Sequence, residues 1–184
     1  LRFHAVYWPA FLMAADIMPK KLEIFAHGWW TVEGEKMSKS LGNGIDPLVM
    51  IDQYGADALR FSIIVLTTEG QDIKLSESRF EMGRNFTNKL WNAARFVLMN
   101  LEVEHPSEIN LEPADYQFED KWILSRLNTT IKTSTLYLDQ FKFNDAAMKI
   151  YDFTWHSFCD WYLEIVKARL NEPQSLKDKK VAQT

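Results

Sequence analysis

From Arg79 to Leu101 apolar residues recur at intervals of three and four: Phe80, Gly83, Phe86, Leu90, Ala94, Val97 and Leu101. This spacing puts them on one face of a single long helix. Such a helix is stable only if that face is covered. Two later segments supply matching faces. One starts at Glu119 or Asp120 and carries Trp122, Ile123, Leu127, Ile131 and Leu138. The other, with Asn144 as its cap, carries Ala147, Tyr151, Thr154, Trp155, Phe158, Trp161, Tyr162 and Ile165. Three amphipathic helices with short connections predict an antiparallel bundle. Pro106 and Pro113 mark 105–116 as a linker, and Pro173 with the charged run 177–180 predicts a frayed end.

The first third reads differently. Residues 3–15 are almost wholly apolar, which predicts a helix buried on most sides beside a sheet, with Pro9 forcing a kink or a start. A second apolar run, 22–30, lies between Lys20-Lys21 and turn residues at 33–35 and predicts a buried strand. Next come Lys36-Met37-Ser38-Lys39-Ser40 and then Leu41-Gly42-Asn43-Gly44. Two lysines three apart, two hydroxyls and two glycines suit a polyphosphate, with ammonium groups as point charges and freed backbone N–H groups as donors. The Walker pattern is absent. An ordinary solvated basic loop is the alternative. The apolar run before the loop and the helix start at Asp46-Pro47 after it favour the phosphate reading. Helix, strand and phosphate loop in this order form the tail of a nucleotide-binding α/β sheet. Beyond it, Gly55 splits 46–66 into two short helices with Asp57 near the second start. Residues 67–72 form a turn, and Ser76 caps the long helix.

The 184 residues suffice for one or two small domains, and 12 Phe with 7 Trp fit packed helices. A net charge of -4 argues against nucleic-acid binding by bulk electrostatics alone, although a local basic surface remains compatible with it. The single cysteine, Cys159, excludes an internal disulfide and a cysteine metal cluster, and its apolar neighbours make it a buried thiol. No apolar run is long enough to span a bilayer, so a reducing, cytosol-like compartment fits best. The start at Leu1-Arg2-Phe3 reads as a piece of a longer polypeptide.

Lys36 to Ser40, preceded by His27-Gly28 and followed by Gly42-Asn43 and Asp46-Pro47-Leu48, resembles the signature loop of class I aminoacyl-tRNA synthetases. Residues 1–45, with Phe3-His4-Ala5-Val6-Tyr7-Trp8-Pro9 and Phe25-Ala26-His27-Gly28, look like methionyl-tRNA synthetase. Residues 46–170 resemble valyl-tRNA synthetase, notably in Tyr54-Gly55-Ala56-Asp57-Ala58-Leu59-Arg60, Asn85-Phe86-Thr87-Asn88-Lys89-Leu90-Trp91-Asn92 and Cys159-Asp160-Trp161-Tyr162. The resemblance implies a mainly α chain with a small α/β part. Residues 1–45 would end a Rossmann-like catalytic domain, 46–76 would be a connecting module, and 77–184 a helical anticodon-binding domain. It implies ATP as substrate with Mg²⁺ bound to it. Lys36 and Lys39 would flank the pyrophosphate, Lys39 being the more important. Met37, Ser38 and Ser40 would complete the ATP loop, and the backbone at His27 and Gly28 would meet the adenine. Phe3 and His4 would border the amino-acid side chain.

The partner implied is the anticodon arm of a tRNA. Asn88, Asn92 and Arg95 share one face of the long helix, and amides with a guanidinium can pair with unstacked base edges. Valine is the expected amino acid. Methionine and a non-catalytic helical RNA-binding module are the alternatives. The 184 residues alone are expected to be inactive, because an upstream ATP-binding segment is missing from them.

Overall fold

The computed structural model describes residues 1–183 apart from 33, 69, 102–110 and 174, and apart from the side chains of Lys39, Glu77 and Leu176. The first half of the expected linker, 105–110, therefore lies outside the described residues. A π-type turn, Phe3–Tyr7, continues into α1 (Trp8–Ala14), with Pro9 in its first turn. A short sheet of order β2-β1-β3 follows. In it β1 (Trp30–Val32) runs antiparallel to β2 (Glu35–Lys36) and parallel to β3 (Ile73–Leu75). Between β2 and β3 lie α2 (Pro47–Tyr54) and α3 (Ala56–Leu66), divided at Gly55 (φ +93°). The helical part comprises α4 (Glu77–Asn100), α5 (Phe118–Asp139), α6 (Phe143–Asp152), a π-type stretch Phe153–Tyr162, α7 (Leu163–Asn171) and α8 (Leu176–Gln183).

Two expectations for the first third are corrected. The strand expected at 22–30 begins only at Trp30. The Trp29 N–H donates to the Asp72 side chain (2.8 Å), and Phe25 leaves the sheet line to pack on Phe143 and Phe141 at 5.3 and 6.2 Å. The helix expected to be buried is exposed, with Phe3 at 72 % and Phe11 at 71 %. The sheet among the described residues is too short to offer it a face. β3 escaped sequence reading because three residues carry no measurable periodicity.

One core joins α2, α3 and α4 through Met50, Tyr54, Ala58, Leu59 and Phe80. Gly83 permits this closeness, since a Cβ there would lie 2.5 Å from the Ala58 carbonyl oxygen. Phe86 stacks between Phe61 and Tyr151 (4.5 and 4.9 Å), which brings in α6. The apolar stripe expected on α4 then departs from its course. Leu90 and Ala94 are exposed, and Ala93 is buried against Cys159 and Leu163. Beyond Phe86 the partner of α4 changes from α3 to the Phe153–Tyr162 stretch, so the buried direction rotates. The expected stripe of α5 is also mostly exposed, namely Leu127, Ile131 and Leu138. Ile123, Thr130 and Ser134 face inward instead.

The caps differ in detail. Ser76 stands at the N-cap of α4, but its hydroxyl meets Ser78 Oγ (3.0 Å) rather than a helix N–H. Asn144 lies inside α6, where its amide donates to the Val65 carbonyl and ties α6 to α3. α5 starts with a capping box in which the Gln117 and Asp120 side chains take each other's backbone N–H groups. In the π-type stretch Phe153 stacks on Phe158 (6.5 Å), as an i→i+5 turn aligns residues five apart, and Phe158 stacks in turn on Tyr162 (6.1 Å).

The end expected to fray is instead a docked helix. Arg169 of α7 is buried between α5 and α8. Its Nη1 donates to Asp120 Oδ1 (2.7 Å) and its Nε to Asp178 Oδ1 (2.8 Å). Tyr162 also donates to Asp120 (2.9 Å), and Gln117 Nε2 to Asp178 (2.7 Å). Burial alone would lower the Arg169 pKa, but hydrogen bonds and charge from Asp120 and Asp178 outweigh it and hold the guanidinium above its ordinary value. Burial, with the Asp120 charge added, pushes the Tyr162 hydroxyl well above its usual pKa. Removing the cation would leave two buried carboxylates uncompensated. Arg169→Ala is therefore expected to cost about 3–5 kcal/mol. Urea denaturation followed by far-UV circular dichroism measures it, and a loss within error would disprove the role.

Candidate functional site

The β1–β2 hairpin delivers the chain into the basic loop. Thr31 pairs with Lys36, and the Met37 N–H donates to the Trp30 carbonyl (2.9 Å), so the loop leaves from a fixed point. The Lys36 ammonium lies 3.3 Å from the centre of the Trp29 ring, a cation–π contact on an exposed surface. A 3₁₀ turn, Lys39–Leu41, follows. Ser38 Oγ accepts from the Leu41 N–H (3.2 Å) and stands 3.0 Å from Ser40 Oγ. Gly42 (φ +65°) turns the chain back, and Asn43 closes the loop. Its Oδ1 accepts from the Ser38 N–H (2.9 Å), and its Nδ2 donates to the Lys36 carbonyl (3.3 Å). Asp46 then caps α2 by accepting from the Leu48 N–H (2.9 Å). The Lys39 side chain lies outside the described residues. The loop thus presents a cation and two hydroxyls on a closed backbone, the equipment to bind an anion and stabilise developing negative charge.

His27 and Gly28 lie just before β1. His27 Nδ1 is 2.7 Å from the Gly28 carbonyl oxygen, and its ring meets Trp30 edge-on at 5.4 Å. A Cβ at Gly28 would sit 2.1 Å from the Gln71 carbonyl oxygen, so the backbone approaches closely here, and its partner is the 71–72 segment. Phe3 and His4 are exposed on the first π-type turn, where Phe3 packs edge-on against Tyr7 at 5.3 Å.

Asn88, Asn92 and Arg95 are all exposed on α4. Lys89, next to Asn88 on the same helix, is engaged structurally. Its ammonium contacts Asp160 (2.6 Å) and lies 4.5 Å from the Trp155 ring centre. The Lys89 hydrogen bond, with His156 adding to it, holds the Asp160 carboxyl below its usual range. Asn92 borders a groove of about 400 Å³ between α4 and the Phe153–Asn171 run, which Phe96, Asp160, Glu164 and Lys167 also line. Cys159 is buried at its floor, and burial raises the thiol pKa. Among the described residues no cluster of His, Cys, Asp or Glu is arranged to hold a metal ion. No described helix is long and apolar enough to cross a membrane.

Sequence reasoning passed over Trp29 and Asn43. The signal for Asn43 was present, since Asn between two glycines is a side chain able to bond backbone within a turn. Trp29 had none, because its contact with Lys36 depends on the hairpin.

Comparison with known proteins matches residues 1–98 to the family model of class I tRNA synthetases (M). The chain belongs to the class I tRNA synthetases. Residues 120–184 of this synthetase match the anticodon-binding domain of tRNA ligases. A valine–tRNA ligase of Clostridium tetani is 53% identical over 135 residues, 73% of this chain and 15% of that protein. One of Petrotoga mobilis is 51% identical over 150 residues, 82% of this chain and 17% of that protein. The chain thus spans about a sixth of the length of such relatives. Among solved structures, Mycobacterium tuberculosis methionyl-tRNA synthetase in complex with methionyl-adenylate is 28% identical, with a TM-score of 0.71 over 100% of this chain and 36% of its own. A LeuRS of Agrobacterium radiobacter in a ternary complex with tRNA and LeuAMS shares the fold, with a TM-score of 0.66 at 23% identity over 96% of this chain and 22% of its own.

The Gly28 contact gives a direct test of how this synthetase holds its loop. Gly28→Ala forces Gln71 away and weakens β1–β3 pairing, with an expected loss of about 1–3 kcal/mol. Chemical denaturation checks this, and an unchanged midpoint would refute the close approach.

Proposed function

We propose that this chain is the part of a valine–tRNA ligase that completes the ATP site and reads the anticodon arm. Identity to valine–tRNA ligases near one half, across both the loop and the helices, carries the choice of amino acid. Residues 1–45 would belong to the catalytic domain, 46–76 would connect it to the helices, and 77–184 would bind tRNA.

In adenylate formation the valine carboxylate attacks the α-phosphate of ATP and pyrophosphate leaves. Negative charge grows on the departing side. Lys36 and Lys39 would flank the pyrophosphate and bind it most strongly as that charge develops, which lowers the barrier rather than the ground state. Ser38 and Ser40 would shape the loop and donate secondary hydrogen bonds, Met37 would space the two lysines, and the backbone at His27 and Gly28 would meet the adenine. Mg²⁺ would arrive on the ATP phosphates. Phe3 and His4 would border the amino-acid side chain, and their exposure leaves them accessible to it. The buried free thiol of Cys159 suits a reducing compartment such as the cytoplasm.

In a full-length ligase containing this chain, Lys39→Ala is expected to raise the barrier of ATP–pyrophosphate exchange by about 3 kcal/mol, roughly 10²-fold in rate. Lys36→Ala should act in the same direction. Exchange kinetics unaffected by either change would remove the loop from the reaction. The 184-residue chain alone should not charge tRNA.

Asn88, Asn92 and Arg95 would face the anticodon, where amides and a guanidinium can bond splayed base edges. Arg95→Ala is expected to weaken binding of valine tRNA by about 1–3 kcal/mol, by analogy with base readout in DNA. Filter binding at fixed salt measures this, and an undiminished affinity would take this face out of the interface. A methionine-specific ligase is the second reading, favoured by the match of all of this chain to part of the methionyl-adenylate complex. Charging assays with valine and methionine on both tRNAs separate the two.

A further inference from the structure

Among the described side chains of the loop, that of Asn43 touches both of its arms. We propose that Asn43 is a positioning residue for adenylate formation, which fixes the backbone of Lys36 and Ser38 so that the Lys36 ammonium meets the departing pyrophosphate without loop reorganisation. The proposal rests on the reading of Lys36 to Ser40 as the ATP loop.

Asn43 Oδ1 accepts from the Ser38 N–H at 2.9 Å while Nδ2 donates to the Lys36 carbonyl at 3.3 Å. One planar amide thereby closes the chain between its own position and both ends of the Lys36–Ser38 segment. The requirement is narrow. Aspartate would lose the donor and set a carboxylate oxygen against the Lys36 carbonyl, and serine has a single oxygen for two partners. Gly42, at φ +65°, lets the backbone double back so that the Asn43 side chain points inward. The Ser38 hydroxyl is directed to the other side of the loop, where it accepts from the Leu41 N–H and stands 3.0 Å from Ser40 Oγ.

The consequence falls on Lys36. Its backbone is held on one side by the Met37–Trp30 hydrogen bond and on the other by Asn43. Its ammonium rests on the exposed ring of Trp29. With the backbone fixed at both points, the ammonium reaches a phosphate by side-chain rotation alone. The ordering cost is met before the transition state, which is where a positioned charge accelerates a reaction.

The test uses a full-length ligase containing this chain. Asn43→Ala is compared with wild type in two separate steps: ATP–pyrophosphate exchange, and transfer of the amino acid from preformed adenylate to tRNA. Exchange kcat is expected to fall about tenfold or more, within the roughly 10²-fold that an ångström of misplacement can cost. The KM for ATP should change little. The transfer rate should hold, because pyrophosphate has already left. Unchanged exchange overturns the proposal, as does a change confined to the KM for ATP. An equal fall in exchange and transfer also overturns it, since that is the mark of general damage. Lys36→Ala, run alongside, separates the two levels. If both variants exchange normally, the ATP-loop reading itself fails. If only Lys36→Ala slows exchange, the loop stands and the role of Asn43 falls.

Discussion

A guanidinium buried between two aspartates organises the helical half of the molecule. Arg169 is 7 % exposed, Asp120 2 % and Asp178 9 %, so all three have given up most of their hydration. Desolvation costs several kcal/mol per ion, and the arrangement is tenable only because nearly every lone pair and proton has a partner. Asp120 is bound by Arg169, Tyr162 and the Gln117 N–H. Asp178 Oδ1 is bound by Arg169 and Gln117, while Asp178 Oδ2 has no hydrogen-bond partner among the described residues. The network joins the start of α5 to the end of α7 and to α8, across 49 residues between Asp120 and Arg169 and nine between Arg169 and Asp178. It closes one end of the bundle around an apolar cavity of about 370 Å³, lined by Ile123, Phe158, Leu163 and Val166 among others. With that end closed, α4 is braced along its second half by the Phe153–Tyr162 stretch, and the exposed row of Asn88, Asn92 and Arg95 is held on a rigid helix.

The loop depends on a different and weaker set of constraints. Its sheet has three strands of two or three residues, marginal by itself. Side chains make up the deficit: Asp72 takes the Trp29 N–H, Thr31 Oγ1 donates to the Ile73 carbonyl (3.3 Å), and Asn43 draws the loop shut. Few of these bonds are buried, so the loop lies near the low end of local stability. The helices and the lightly held loop are thus joined through the core around Phe80, against which Ile45 and Leu75 also pack.

Legibility followed physical range. The boundaries of α2, α3 and α4, the break at Gly55 and the cap at Asp46 were readable because each depends on residues within a turn or two. The loop was readable because its lysines, serines and glycines lie together in the chain. Burial was harder. Leu90 and Leu127 have correct helical spacing yet face solvent, because the side of a helix that becomes buried depends on where its neighbours lie. The small Ala93, Thr130 and Ser134 are inside because helices approach closely there. Residues 3–15 have the composition of a buried helix and lie exposed, since a covering surface must come from elsewhere.

Local chemistry therefore determined the kind of molecule: a mainly helical chain, a cationic loop with phosphate-binding equipment, and one long helix with an amide-rich face. Period, caps and glycine positions act over a few residues and need no tertiary partner. Tertiary structure alone decided that Trp29 would carry the Lys36 ammonium, that Lys89 would be spent on Asp160, and that the charged run 177–180 would dock through Asp178 rather than fray. Each of these joins groups brought together by a hairpin or by helix packing, and a charge takes its role from the partner it meets.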